Sequence, residues 1–295
     1  MKFGFVVLHY LSFEDTIQCV NSVLPIIGQH DVKIVIVDNH SSNGSLERLE
    51  QEYASNEAIA IVPNNDNLGF ARGNNVGYTL CRDVYHCDCI MVSNNDIIVE
   101  SPDLFDVIEQ EAPDSSCAVI GPDIMSGKTG HHQNPVKPVH FNHKMIKKEI
   151  LRYRLLSLFN TLNVYDFARK CLGQTSRASA ATGISFEPKS MCSPDIQLHG
   201  SFLIFLKPYI TIFDTAFDPR TFLYMEEDIL RMRCESKDLR MCYWDNLRVI
   251  HNEDSSTDML TKKVKKKRSF VFRNMIQSYE VLDKVILEYD IEKSR

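Results

Sequence analysis

The chain has 295 residues, 44% of them hydrophobic and 24% charged, the balance of a globule with a sizeable core and not of a disordered or collagen-like chain. A net charge of −6 argues against nucleic acid as the default partner. Phe3 to Leu8 meets His9 and then Ser12, Glu14 and Asp15 too soon for a signal-peptide core, and no run approaches the roughly 18 apolar residues of a membrane span. The expectation is therefore a cytoplasmic protein. Nine cysteines are an odd number without framework spacing, and Cys87 and Cys89 form a close pair that has no matching pair elsewhere. They read as free thiols in a reducing compartment.

Four apolar, β-branched runs predict buried strands: Phe3 to Leu8, Val32 to Val37, Ala58 to Val62 and Cys89 to Val92. Ser12 to Leu24 carries Phe13, Ile17, Val20 and Leu24 at helical spacing, with Ser12 as N-cap. Ser45 to Ala54 and Gly69 to Val84 fit helices in the next two gaps. Strand alternating with helix in this way predicts βαβ units and a parallel sheet, whose ligand sits beyond the carboxyl ends of the strands. Gly121 to His143 has no periodicity and reads as irregular. Lys144 to Leu172 reads as a basic amphipathic helix with Ile146, Ile150, Leu151, Leu155, Leu158, Phe159 and Leu162 on one face, broken near Asn160 to Asn163. Phe202 to Leu206 is β-rich, Met241 to Trp244 and Val249-Ile250 are short apolar runs, and Ser269 to Tyr289 is helical. Lys262 to Arg268, just before that last helix, is basic at every position except Val264.

The polar residues that follow each strand are the candidates for chemistry. After strand two stand Asp38 and Asn39, a carboxylate suited to a ribose or base edge that can equally form an Asx turn. After strand three comes NNDNLGFARGNN, Asn64 to Asn75, where Gly69 and Gly73 permit close backbone approach and Arg72 can face phosphate. No GK[ST] follows it, and no GxGxxG follows any strand, which disfavours a P-loop or a dinucleotide fold. Strand four ends in Ser93-Asn94-Asn95-Asp96-Ile97, oxygen donors suited to a hard divalent ion that bridges phosphates, or to a loop turn. Tyr224 to Ile229 places Glu226, Glu227 and Asp228 in succession. They cannot all share one helix face, and one that faces a cleft would have a raised pKa fit for a general base, while an acidic first helical turn is the plainer reading. His251 closes a strand and can reach phosphate or metal, or be structural.

The order strand-Asp38-Asn39, NLGFARGNN, NNDI, HGS, FDPRTFLYMEED and late histidine resembles glycosyltransferase family 2 over about residues 3 to 256. The resemblance implies an α/β fold of the GT-A (Rossmann-like) type, a mixed, mostly parallel sheet flanked by helices. It implies a domain over 1–260, with a nucleotide-sugar half at 1–100 and an acceptor and catalytic half at 101–260, then a basic linker and C-terminal helix at 261–295. Carried over, the donor site falls on Tyr10, Asp38, Asn67, Gly69, Arg72, Asn74, Asn94 and Asn95, with Asp96 and His251 for a divalent metal, Mg²⁺ or Mn²⁺. Asn94 stands where a full DxD triplet has an acid. The base falls on Glu227 first, with Glu226 and Asp228 as alternatives, and His199, Gly200 and Ser201 meet sugar and acceptor. The implied activity is inverting transfer of a sugar from a nucleoside diphosphate to a hydroxyl of a glycan or lipid-linked glycan. Relatives include rhamnosyltransferases of bacterial surface polysaccharides. A sugar- or polysaccharide-binding module is the non-catalytic alternative. A sugar-nucleotide pyrophosphorylase is disfavoured because His9-Tyr10-Leu11-Ser12 replaces its glycine-rich loop. The two basic stretches suggest peripheral attachment at the inner face of the cell membrane, and the apolar helix stripe also suits a homodimer.

Overall fold

The computed structural model describes residues 1–112, 117–166, 189–193, 196–253 and 264–293. Strands β1 (Lys2–His9), β2 (Asp31–Asp38), β3 (Ile59–Pro63) and β4 (Cys89–Asn94) are the four apolar runs of the amino-terminal third, with β1, β2 and β4 two residues longer than expected and β3 shifted by one. Helices α1 (Phe13–Val23), α2 (Ser45–Glu52) and α3 (Gly69–Thr79) connect them. The three crossovers make β3, β2, β1 and β4 parallel neighbours. Their register pairs His9 with Asp38, Asp38 with Pro63 and Leu8 with Asn94, so the polar residues that follow these strands gather along one sheet edge. Phe5, Val6, Ile34, Val35, Ile90 and Met91 are fully buried, and successive residues contribute to opposite faces, which is why these strands read as unbroken apolar runs.

The other half of the sheet departs more from the sequence expectation. After β5 (Ile97–Val99) and α4 (Leu104–Glu111) comes β6 (Cys117–Ser126), which occupies the start of the segment read as irregular. Gly121 and Pro122 hide it, and its ladder shifts register between Pro122 and Asp123. Next are α5 (His143–Thr161), the short β7 (Met191–Cys192), β8 (Phe202–Leu206), α6 (Lys207–Ile212), α7 (Glu226–Ser236), β9 (Arg240–His251) and α8 (Val264–Lys293). The strand order is β3-β2-β1-β4-β8-β6-β9-β5, with β7 beside β9. Strands β8, β5 and β7 pair antiparallel, while the long ladders are parallel. The runs at Met241 to Trp244 and Val249-Ile250 belong to the single strand β9, which carries the polar Asp245 and Asn246 across the register shift.

Helix α5 ends at Thr161, and Asn163 has a positive φ, matching the expected break; the expected continuation from 167 to 172 lies outside the described residues. Its apolar face is divided. Ile146 and Ile150 pack with Ile229 and Met232 of α7 and with Tyr279, Leu282 and Ile286 of α8, whereas Leu151, Leu155, Leu158 and Leu162 stay exposed. The stripe is wider than the surface its neighbours cover. No helix among the described residues is long and apolar enough to cross a membrane. The cysteines also depart from nine free thiols: Cys19, Cys81, Cys87, Cys89 and Cys234 are free and buried, but the sulfurs of Cys117, Cys192 and Cys242 converge.

Candidate functional site

The carboxyl ends of β1, β2 and β4 border a cavity of about 170 Å³. Tyr10, Asn39, Asn67, Gly69, Asn94 and Asn95 line it on the sheet side, and Phe222, Leu223 and Phe270 close it. Asn39 organises the loop after β3. Its amide donates to Asn67 Oδ1 (3.0 Å) and to the Gly69 carbonyl (3.2 Å), and its carbonyl oxygen accepts from the Leu68 amide (2.9 Å). Gly69 has φ +78°, and a side chain there would run into the carbonyl and ring of Phe222, whose carbonyl accepts the Phe70 amide at 2.7 Å. Only glycine takes that conformation at so close an approach without strain.

Asp38 sits behind this lining, buried, its carboxylate accepting the Ser41 amide at 3.1 and 3.3 Å. His9 stands 3.8 Å from it and is held between Thr16 Oγ1 (2.7 Å) and Ser45 Oγ (2.8 Å). Burial pushes the His9 pKa down to about 4, against the pull of Asp38, so the imidazole is neutral and fixes these elements by hydrogen bonds. Asn95 reaches the same Thr16 hydroxyl (3.1 Å). Asn74 is buried in α3, its amide on the Phe70 carbonyl, and Arg72 is exposed; neither lines the cavity. The neighbouring Asn75 instead holds the Phe217 backbone, its Nδ2 donating to the carbonyl (2.8 Å) and its Oδ1 accepting from the N–H (2.9 Å), tying α3 to the loop that leads into α7.

Between β4 and β5 stands Asp96, buried, and the β5–β9 pairing brings His251 beside it, Nε2 3.4 Å from Asp96 Oδ1. Among the described residues Asp96 Oδ1 has no hydrogen-bond partner. An orphaned carboxylate oxygen beside an imidazole nitrogen fits a divalent cation whose other positions go to water or phosphate oxygens. Gln133 Oε1 lies 2.8 Å from His251 Nδ1 and sets the ring's orientation. His199 stacks edge-on against His251, ring centroids 5.6 Å apart. Its amide donates to Asn134 Oδ1 (2.7 Å), and its Nδ1 is 2.9 Å from Ser201 Oγ. Burial, helped by His251, pushes the His199 pKa down to about 4. Gln133 and Asn134 come from the segment read as irregular, where no sequence signal marked them.

The acidic triplet opens α7 after Tyr224 and Met225, both in the left-handed region at φ +79° and +68°. Two successive non-glycine residues there cost about 1–3 kcal/mol each. The three carboxyls then diverge. Glu226 is 3% exposed and burial, with Glu227 adjoining, pushes its pKa up to about 8; its Oε1 has no hydrogen-bond partner among the described residues. Asp228 faces Gln197 and is pushed up to about 7 by burial and Glu227. Glu227 alone turns to the HGS segment, its Oε1 accepting the Gly200 amide at 3.2 Å, and desolvation raises its pKa. Since the Ser201 carbonyl accepts the Asn94 amide (2.8 Å), His199-Gly200-Ser201 spans from Glu227 to Asp96 and His251. The loop before the triplet is braced by α8: Ser278 Oγ donates to the Leu223 carbonyl (2.8 Å), and Arg220 pairs with Asp218 and Glu288 (both 2.7 Å).

Comparison with solved structures finds the same fold in GalNAc-T7 with UDP, GalNAc and Mn²⁺, at a TM-score of 0.55 and 12% identity. The match covers 98% of this chain and 54% of that one, so this chain spans about half the neighbour's length. The likeness establishes a GT-A glycosyltransferase fold. No curated protein matches by sequence. The family description "Glycosyl transferase family 2" matches residues 5–171, more than half of the chain, and on that match together with the fold the chain belongs to glycosyl transferase family 2.

Proposed function

We propose that the protein is an inverting glycosyltransferase that moves a hexosyl or deoxyhexosyl group from a nucleoside diphosphate to a hydroxyl of a glycan or lipid-linked glycan in bacterial surface polysaccharide synthesis. The observation that carries this reading is the span of His199-Gly200-Ser201 between a carboxylate of raised pKa, Glu227, and the Asp96–His251 pair. Residues 1–100 form the donor half: Tyr10, Asn39, Asn67, Gly69, Asn94 and Asn95 surround the nucleotide sugar, with Asp38 and His9 fixing the strand ends beneath it. Glu227 takes the acceptor proton as that oxygen attacks the anomeric carbon from the face opposite the leaving diphosphate, and such a single displacement inverts the centre. Asp96 and His251 would hold Mg²⁺ or Mn²⁺, which when bound offsets charge on the departing diphosphate. Asn94 makes this a site with one acid fewer than a DxD triplet. The GalNAc-T7 structure, with UDP and Mn²⁺ present, supports this class of donor and ion.

Residues 101–260 shape the acceptor side, and 261–295 brace it and carry basic charge. We place the enzyme in the cytoplasm with its basic helices against the inner face of the membrane. The test is release of UDP, dTDP and GDP from a panel of donor sugars, with and without chelator. One nucleotide released in an acceptor-dependent, metal-dependent way, and lost in Asp96→Ala, is the expected result. Binding of donors with no turnover for any acceptor would leave a sugar-nucleotide-binding module.

A further inference from the structure

The cysteine cluster at the far edge of the sheet is unrelated to the donor cavity. Cys242 lies within β9, Cys192 faces it across the β7–β9 pairing, and Cys117 opens β6 on the other side of β9. Cys242 Sγ is within disulfide reach of either Cys117 or Cys192, and the Cys117 and Cys192 sulfurs lie 3.3 Å apart. A sulfur forms one disulfide, so a disulfide accounts for two of these three atoms and leaves the third unexplained. Among the described residues this is the one group of three or more His, Cys, Asp or Glu ligand atoms gathered about a single point. Elsewhere the chain's neighbouring thiols stay separate: Cys81 and Cys87 share a hydrogen bond and are not joined.

We propose that Cys117, Cys192 and Cys242 form a three-thiolate site for a thiophilic divalent cation, with zinc as its occupant. Thiolates select such an ion over Mg²⁺ and Mn²⁺, which take oxygen ligands. Cys117 and Cys242 are buried and Cys192 is exposed, so the fourth position opens to solvent. Binding releases the thiol protons and leaves one net negative charge at the ion, beside a cleft lined by Arg231 and Arg240 as well as by Glu235 and Asp238. The ion would staple the two-residue β7 to the central sheet. That strand stands just before the stretch through Gln197 to His199, so the site would anchor the chain that delivers the HGS segment.

The test uses the full chain purified under reductant without added chelator. About one zinc per chain is expected by elemental analysis. Replacement by Co²⁺ should give thiolate-to-cobalt charge-transfer absorption in the near ultraviolet, which Co²⁺ at Asp96 and His251 cannot produce. Cys192→Ser, at an exposed position that the fold tolerates, should lose that absorption and weaken zinc binding on the order of a hundredfold; Cys234→Ser should change neither. A folded chain that takes up Co²⁺ without the absorption, or a Cys192→Ser chain that retains it, overturns the site. So does a Cys242 cross-link mapped by peptide mass in the chain prepared under reductant.

Discussion

Gly200 donates its backbone amide to Glu227 Oε1 at 3.2 Å, and a Cβ at position 200 would collide with that same carboxylate. The glycine is there for close approach and not for a left-handed conformation, since Gly200 is not among the glycines with positive φ. Gly200→Ala should therefore fold with little change in Tm while displacing Glu227. A loss of turnover on the order of a hundredfold with donor affinity retained is the expected outcome, measured by initial rates beside calorimetric binding.

Glu227→Gln keeps the shape of the contact and removes the proton acceptor. Turnover should fall by roughly 10²–10⁴-fold, the usual contribution of a general base. Because desolvation raises the Glu227 pKa, the acid limb of the parent's rate–pH profile should lie above the ordinary carboxylate value of 4.5. A loss below about threefold would assign the role to Glu226 or Asp228.

Glu226 and Asp228 make a different, structural prediction. Their folded-state values of about 8 and about 7 stand above 4.5 and 3.8 in the unfolded chain. Between each pair of values the native state holds more protons than the unfolded state, so stability falls as pH rises through that window. Glu226→Gln removes one of the two titrations. Its Tm should exceed the parent's by several degrees at pH 8, the gap closing towards pH 5. Parallel Tm curves across that range would show that Glu226 ionises as freely in the folded protein as in the unfolded one.

Phe270 of α8 and Phe222 line the cavity proposed for the donor, the two rings 6.1 Å apart. The cavity of about 170 Å³ is smaller than the roughly 300–1,000 Å³ of small-molecule sites. A donor seated here is expected to push these rings apart. Phe270→Ala should strengthen donor affinity by several-fold, read by titration calorimetry, and unchanged affinity would mean that the ring does not cover the donor.

The strand ends of the amino-terminal half were legible because these strands are buried on both faces and their polar ends follow at once, so Asp38, Asn94 and Asp96 stand out by position, Gly69 by the composition of its loop, and Asn67 through the family resemblance. Arg72 and Asn74 were drawn into the set by the same composition, but the turn of α3 exposes one and buries the other. Ile97–Val99 was missed because it is three residues long and gains strand character only from β9, about 150 residues away. Gln133 and Asn134, which orient His251 and His199, lie in a stretch with no periodicity. A hydrogen bond between segments so far apart in the chain leaves no local pattern to read. The acidic triplet was legible as a cluster, and the family resemblance put Glu227 first; the Gly200 amide on Glu227 Oε1 is the contact that no local pattern announced.

The exposed leucines of α5 bear on where the enzyme works. Leu151, Leu155, Leu158 and Leu162 are 45–60% exposed at helical spacing, and Lys144, Lys147 and Lys148 are exposed on the same helix. Lys265 to Arg268 adds basic charge at the start of α8; Lys262 and Lys263 of the same run lie outside the described residues. Basic side chains near an anionic leaflet contribute about 1 kcal/mol each, and the leucines add apolar area that salt does not screen. The chain should therefore co-sediment with anionic liposomes at low salt and weakly with neutral ones. Leu155→Glu combined with Leu158→Glu should abolish binding to both without lowering Tm, because neither side chain belongs to the buried cluster between α5 and α8. If the parent chain is monomeric and absent from both pellets, the stripe has no role at a membrane. If it is dimeric and the double variant monomeric, the leucines are instead the contact between two copies.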